Sequence, residues 1–506
     1  MSAVIDDILD REAPRLGTAG ADAPAAVVAR ARAAQSAWAG VPIRGRLNVL
    51  RRVRHAIAER GGEFADLLAG PDRTRAQSLA AEIVPLADAI RFCERYAARV
   101  LRPVRWGRAG RPAWLSRTSV EVRREAVGVV LVIAPENYPL LLPGVQAVQA
   151  LAAGNAVLVK PAPGRSGPVD RLRGIALECG LPADLFTVLD ESPSAATATI
   201  DAGVDKVLFT GSAETGRRVL ANLAPRATPA VMELSGCDAV FVQRTADLDL
   251  VARGLAFALS FNGGRTCVGP RRVFVSRDRV DALAARLVPL VEAQAPSRPA
   301  VPLFAEATGL IGDAVTNGAR RLTGGASGGV FWPTVLADVT AEMAVARSDL
   351  FVPVISLITV DDDAGALAVN DSCPFALGAA VFGDAAGAER LAAAIPAGVV
   401  VVNDLIVPHA DPRVSLAGRR ASGFGATRGA EGLLELTRPK AVVVRGGRFR
   451  PHFDPPHAAD EAIFADYLRA AHGRSIWSRI AAAGRVIKGL MRRGKSDGPG
   501  GSSRSP

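Results

Sequence analysis

The chain has 506 residues, of which 49% are hydrophobic and 22% charged; that composition excludes wholesale disorder, and that length excludes a single hydrophobic core. Its formal net charge of +11 does not mark a nucleic-acid binder, because seven cations and no acid lie between Arg474 and Lys495 and leave the rest of the chain near balance. No apolar run approaches the ~18–20 residues of a membrane-spanning helix, and Met1–Glu12 carries early acids without a signal-peptide core, so a cytoplasmic protein is expected.

From Ala21 to Val104 apolar residues recur at helical spacing, as in Leu47, Leu50, Val53 and Ile57 and again in Ile83, Leu86 and Ile90. The pattern then turns strand-like at Ser119–Val122. Val129–Ile133 is a continuous apolar run, the mark of a strand buried on both faces. Short strands are predicted at Ala156–Val159, Phe186–Leu189, Lys206–Phe209 and Ala239–Val242, with helices between several of them. A second series follows Cys267: Arg272–Val275, Val354–Val360, Ala379–Phe382 and Gly398–Asn403. Strand and helix in alternation predict an α/β fold with two parallel sheets.

Beyond Arg450 the chain changes character. Pro451, Pro455 and Pro456 break it, a helix is predicted after them, and the Gly/Ser/Pro-rich Ser496–Pro506 is expected to be disordered. On a helical wheel Ile476, Trp477, Ile480, Ile487, Leu490 and Met491 fall mainly on one side, with the cations largely opposite. Such a basic amphipathic helix suits either an anionic membrane surface or a neighbouring subunit.

The five cysteines, Cys93, Cys179, Cys237, Cys267 and Cys373, show neither paired spacing nor a zinc pattern. Free thiols in a reducing compartment are expected, and no metal site. In Phe261-Asn-Gly-Gly-Arg-Thr-Cys267 the cysteine follows two glycines. It is either a small buried core thiol or a nucleophile whose surrounding backbone N–H groups face a developing oxyanion. Glu233 closes the apolar Ala230-Val-Met and is either a solvated surface acid or a strand-end general base. Phe209-Thr-Gly-Ser-Ala-Glu-Thr-Gly216 ends a strand and opens a helix, a geometry suited to a pyrophosphate and also to a plain strand-to-helix turn. Pro135-Glu-Asn137-Tyr-Pro139 and Lys160-Pro161 each follow a buried strand.

In order along the chain, these segments resemble the aldehyde dehydrogenase superfamily from about Ala21 to Arg445. The family pattern P-W-N-[FY]-P corresponds to Pro135–Pro139, G-N-x-x-x-x-K-P to Gly154–Pro161, F-T-G-S-x-x-x-G to Phe209–Gly216 and E-L-G-G to Glu233–Gly236. Later matches are Asn370, Pro374–Gly378, Ala397–Asn403 and Ser422–Gly425.

The resemblance implies a Rossmann-like cofactor domain and a catalytic domain, with a small β oligomerisation arm. Residues 1–234 would bind NAD or NADP, interrupted by arm strands at about 110–126. Residues 235–436 would carry the catalytic thiol, 437–449 an oligomerisation strand and 450–506 the basic tail. Cys267 would be the nucleophile, Glu233 the base, and Asn137 with the Cys267 backbone N–H the oxyanion donors. Lys160, Gly211, Ser212, Gly216, Leu234, Asp349 and Phe351 would line the dinucleotide. The product would be a carboxylic acid, formed from an aldehyde through a thiohemiacetal and a thioester. The expected assembly is a homodimer or homotetramer; apart from the resemblance, the amphipathic pattern of the tail leaves peripheral membrane contact open beside packing on a neighbouring subunit.

Several positions depart from the family pattern. Glu136 replaces Trp, Arg265 replaces the usual Gln, and Asp349 stands where a Glu normally bonds the nicotinamide ribose. Pro163 replaces a Glu that partners the adenosine ribose, and with Arg165 nearby this admits NADP beside the preferred NAD. Pro412–Arg419 loosens a segment that lines substrate access. Two other functions are compatible with these departures: a dehydrogenase that passes its acyl group to coenzyme A, and a non-catalytic relative.

Overall fold

The computed structural model describes residues 23–70, 73–115, 117–447, 450–453, 456 and 460–496. Met1–Glu12 and, apart from Ser496, the segment expected to be disordered lie outside them. The chain falls into two compact units, one of residues 1–105 and 121–442, the other of residues 106–120 and 443–506.

The first unit is built on two large sheets. The six-stranded sheet runs Gly423–Phe424, Ala230–Leu234, Lys206–Gly211, Val129–Ile133, Ala156–Lys160, Phe186–Val188. Its last five strands are mutually parallel, and the β-branched runs Val129–Ile133 and Ala156–Lys160 are buried throughout. Chain order reverses between Val129–Ile133 and Lys206–Gly211. Open parallel sheets bind ligands at such a reversal, outside the carboxyl ends of the strands.

The seven-stranded sheet runs Arg320–Ser327, Val330–Ala337, Val354–Val360, Pro270–Ser276, Asp238–Val242, Gly378–Phe382, Val399–Val402. Apolar clusters including Phe241, Phe274 and Phe331 on one side and Val251, Leu283 and Leu357 on the other cover its faces. The parallel α/β architecture predicted from the strand–helix alternation is observed. The antiparallel edge hairpin Arg320–Ser327/Val330–Ala337 was not anticipated. Its glycines at 324, 325, 328 and 329 dilute the two-residue alternation by which a strand is recognised. Thr118–Ala126 and Thr437–Arg445 are strands, and Lys440 Nζ lies 3.0 Å from Glu125 Oε1.

In the second unit, Asp460–His472 and Ile476–Ser496 form a helical hairpin. Arg485 donates two hydrogen bonds to Asp466, at 2.8 and 2.9 Å, across it.

Candidate active site

The carboxyl ends at the chain reversal open into a cavity of about 1230 Å³. Its wall includes Pro135, Glu136 and Asn137 after one strand and Gly211 and Ser212 after the next. Glu233, Leu234, Cys267, Asp349 and Phe351 line it as well. Eight of the ten residues expected in the catalytic and cofactor sites therefore share one cavity. Lys160 and Gly216 are not in its wall: Lys160 is the buried last residue of a neighbouring strand, and Gly216 packs beneath Leu234.

Cys267 is delivered by a loop that follows the helix Leu248–Ser260, capped at its start by Asp247. Asn262, Gly263 and Gly264 all take positive φ, 53°, 61° and 75°, so the chain turns sharply just before the cysteine. A Cβ on Gly264 would lie 2.7 Å from the Pro353 backbone, which reserves that position for glycine. Beneath the loop, the buried Arg271 donates to the carbonyls of Gly264, at 2.9 Å, and Thr266, at 3.4 Å. Tyr138 OH and Thr266 Oγ1 are 2.8 Å apart on its other side.

The sulfur of Cys267 lies 3.9 Å from Glu233 Oε1, at the outer limit of an S–H···O contact. Thr427 Oγ1 donates to the other carboxylate oxygen at 3.1 Å. Asn137 Nδ2 donates to the Arg265 carbonyl at 2.9 Å, two residues before the cysteine, which leaves its second N–H for a ligand. The Asn137 backbone is itself clamped. Its carbonyl accepts from Arg73 Nη2 at 2.8 Å and Asn262 Nδ2 at 3.0 Å, and Arg73 pairs with the buried Glu82. Glu82 also accepts from the N–H groups of Leu140, at 2.8 Å, and Leu141, at 2.9 Å, so one buried acid fixes the start of the following helix.

Burial pushes the Cys267 thiol well above its ordinary range, and the carboxylates of Glu233 and Asp238 push it further, while the buried cation Arg428 acts to bring it down. Burial also raises Glu233, against Arg428, Thr427 and Cys267. A carboxylate that binds protons more tightly is a stronger base, and a thiol that resists ionisation needs one. The pair is arranged for transfer of one proton from sulfur to carboxylate.

Arg428, Thr427, Arg73 and Glu82 were not singled out from sequence. Arg428 is 9% exposed, and its backbone is at φ 62°, strained for a residue with a side chain. Its Nη2 donates to the His409 carbonyl, while its Nε has no hydrogen-bond partner among the described residues. The titratable groups facing it include Glu233, Cys267, Asp411 and Tyr138. A lone arginine in a glycine-rich segment gives no signal of burial; only its neighbour Thr427, in reach of Glu233, exposes the connection.

The cavity wall has features that fit a dinucleotide. Ser212 caps the helix Ala213–Leu223, its Oγ accepting from Thr215 N at 3.2 Å, so backbone N–H groups of the first turn are presented near the strand ends. Among the described residues Asp349 Oδ1 is buried without a hydrogen-bond partner, an acceptor suited to a ribose hydroxyl. Burial lifts this carboxyl to about 6 against the pull of Arg271. Beside the Ala156–Lys160 strand, Glu191 accepts from Gly164 N and from Ser166 N at 2.8 Å, and its charge and that of Asp190 act on Lys160. Arg165 is held by Glu136 at 3.3 Å. Among the described residues no group of His, Cys, Asp and Glu is arranged to hold a metal, and no helix is long and apolar enough to cross a membrane.

Residues 3–442 match the profile of the aldehyde dehydrogenase family. A protein of Mycolicibacterium smegmatis, whose name proposes succinate-semialdehyde dehydrogenase (NADP+) activity, is 32% identical over 455 residues, 85% of this chain and 86% of its own. The crystal structure of an NAD-dependent aldehyde dehydrogenase from Sinorhizobium meliloti superposes with a TM-score of 0.79 at 29% identity, covering 85% of this chain and 88% of that one. A Mycobacterium tuberculosis aldehyde dehydrogenase complexed with NAD+ gives a TM-score of 0.77 at 27% identity over 85% and 92%.

Proposed function

Because this chain belongs to the aldehyde dehydrogenase family and is an NAD(P)-dependent enzyme that oxidises aldehydes, we propose that Cys267 is its nucleophile, Glu233 its base and Asn137 its side-chain oxyanion donor. The observation that carries this reading is the 3.9 Å approach of the Cys267 sulfur to the buried Glu233 carboxylate in a cavity that also contains Asn137.

Glu233 takes the thiol proton as the sulfur bonds to the aldehyde carbon, and the carbonyl π pair moves onto oxygen. That oxyanion receives the free N–H of Asn137 and the backbone N–H of Cys267; one such donor typically lowers the barrier by ~3–4 kcal/mol. The bound dinucleotide supplies the acceptor for the hydride that leaves the thiohemiacetal carbon, so that a thioester remains on Cys267. Once Glu233 has released the thiol proton to solvent, its carboxylate takes a proton from water as the water oxygen attacks the thioester; the carbon–sulfur bond breaks, carboxylic acid leaves, and the proton on Glu233 returns to the Cys267 sulfur.

Within this scheme residues 1–234 bind the dinucleotide, 235–436 carry the thiol, and 437–449 supply a strand for a homodimer or homotetramer. Gly211 and Ser212 hold the pyrophosphate, Asp349 and Phe351 the nicotinamide end, and Lys160 the adenosine ribose. NAD is favoured over NADP, because Glu191 and Asp190 set negative charge beside Lys160 and Arg165 is already engaged by Glu136. The basic tail gives the enzyme peripheral contact with an anionic membrane.

The test is Cys267→Ala assayed with NAD and a panel of short, aromatic and long-chain aldehydes. Turnover is expected to fall by about three orders of magnitude or more with dinucleotide affinity retained; a variant that still oxidises aldehydes at the parent rate overturns the assignment.

A further inference from the structure

The helical hairpin at the end of the chain has used one face and left another uncovered. Asp460–His472 packs on the small-residue side of Ile476–Ser496: Ala482 is fully buried, and a Cβ on Gly489 would lie 2.7 Å from Ile463 Cγ1. The bidentate Arg485–Asp466 pair closes the same side. Arg479 Nε, bonded to the Ala470 carbonyl at 3.0 Å, ties the turn.

The large apolar residues point elsewhere. Ile476, Trp477, Ile480, Ile487, Leu490 and Met491 occupy an arc of about 140° at the helical step of about 100° per residue, and all six are exposed, Trp477 at 77% and Met491 at 67%. Lys488 and Arg492 border this stripe on one side and Arg479 on the other. Among the described residues none of these three cations has a carboxylate within ion-pair distance; the acids of the hairpin are on Asp460–His472, where Asp466 is taken by Arg485 and Arg469. A soluble surface seldom exposes six large apolar side chains in one row.

Resting on the peripheral-membrane reading above, we infer that the stripe Ile476–Met491 is the surface that enters the lipid, and that Arg479, Lys488 and Arg492 bind anionic headgroups along its edges. The intramolecular partner has already taken the face that could only pack closely against another helix. What remains exposed is the face whose long side chains reach the acyl boundary, rimmed by cations at headgroup level, with an indole at one end. The Asp466 pair clamps the helix in this orientation before it meets lipid, so the surface is formed in advance.

The experiment sediments the full chain with vesicles of phosphatidylcholine alone and of phosphatidylcholine with phosphatidylglycerol. The full chain is expected to co-sediment with the anionic vesicles and to be released by salt. Ile480→Glu/Ile487→Glu and Arg479→Gln/Lys488→Gln/Arg492→Gln should each lower this partition at least tenfold, with aldehyde oxidation in vesicle-free buffer unchanged as the check on folding. Equal partition of the parent and the double glutamate variant overturns the stripe as the entering surface while the peripheral reading stands. No sedimentation of the parent with either vesicle overturns both. A fall in solution mass on Ile480→Glu/Ile487→Glu, measured by light scattering, overturns the inference in favour of a second copy of the chain on the same stripe.

Discussion

Thr427 donates its hydroxyl to one oxygen of Glu233 at 3.1 Å. The bond turns the other carboxylate oxygen toward Cys267 and occupies a lone pair that would otherwise be buried unsatisfied. The residue after it, Arg428, supplies the buried cation. A carboxylate, its orienting hydroxyl and a nearby cation thus come from two segments that are distant in sequence. The raised proton affinity of Glu233 and the raised pKa of Cys267 both follow from this enclosure.

A pH profile reports the base. Only ionised Glu233 can accept the thiol proton, so kcat/KM rises with pH through a value above the usual carboxylate range. Glu233→Gln is expected to lose ~10²–10⁴ in rate and to lose that limb of the profile. A variant whose profile overlays the parent's assigns the limb to another group.

Arg428 is predicted to position charge without touching substrate. Arg428→Met fills the same space with no cation, so the Cys267 thiolate loses an attractive side-chain neighbour while Glu233 and Asp238 remain. The pH dependence of Cys267 alkylation should move upward by about one unit, and Arg428→Lys should restore part of the shift. An unmoved alkylation profile would show that the arginine serves packing alone.

Asp349 links stability to dinucleotide binding. Its folded pKa, about 6, lies above the ~3.9 of an ordinary aspartate; between those values the native state therefore holds a proton that the unfolded chain has released. Its contribution to stability is full below the lower value and is lost as pH rises through about 6, at a cost on the order of 3 kcal/mol. Asp349→Asn should raise the unfolding temperature at pH 8 and leave it nearly unchanged at pH 4. The same variant should weaken NAD binding, measured by calorimetry, because the buried acceptor for the ribose is altered. Unchanged NAD affinity would remove Asp349 from the cofactor site.

Glu191 tests cofactor preference. Glu191→Gln takes away a carboxylate that acts on Lys160, and with it a charge that repels a 2′-phosphate. The ratio of kcat/KM for NADP to that for NAD should rise at least about tenfold, a difference of ~1.4 kcal/mol. A constant ratio places the discrimination at another residue.

Much of this enzyme is determined locally. Continuous β-branched runs such as Val129–Ile133 form fully buried strands whatever their partners, because no polar side chain interrupts either face. Motifs that end those strands, Pro135–Pro139, Phe209–Gly216 and Glu233–Gly236, are short enough to be recognised in one dimension, and the cavity brings members of all three together. The tail's charge and amphipathic period are also written in consecutive residues. The tertiary structure alone decides what burial does to them. Arg73, Glu82 and Arg428 are ordinary surface-type residues until distant segments enclose them, and only then does desolvation make each pairing strong enough to orient Asn137 or Glu233. Likewise the tail's sequence displays an apolar stripe, but only the packing of Asp460–His472 against Ala482 and Gly489 determines which face remains uncovered. Spacing along a chain encodes local conformation, whereas electrostatic strength and surface exposure depend on neighbours that spacing does not name.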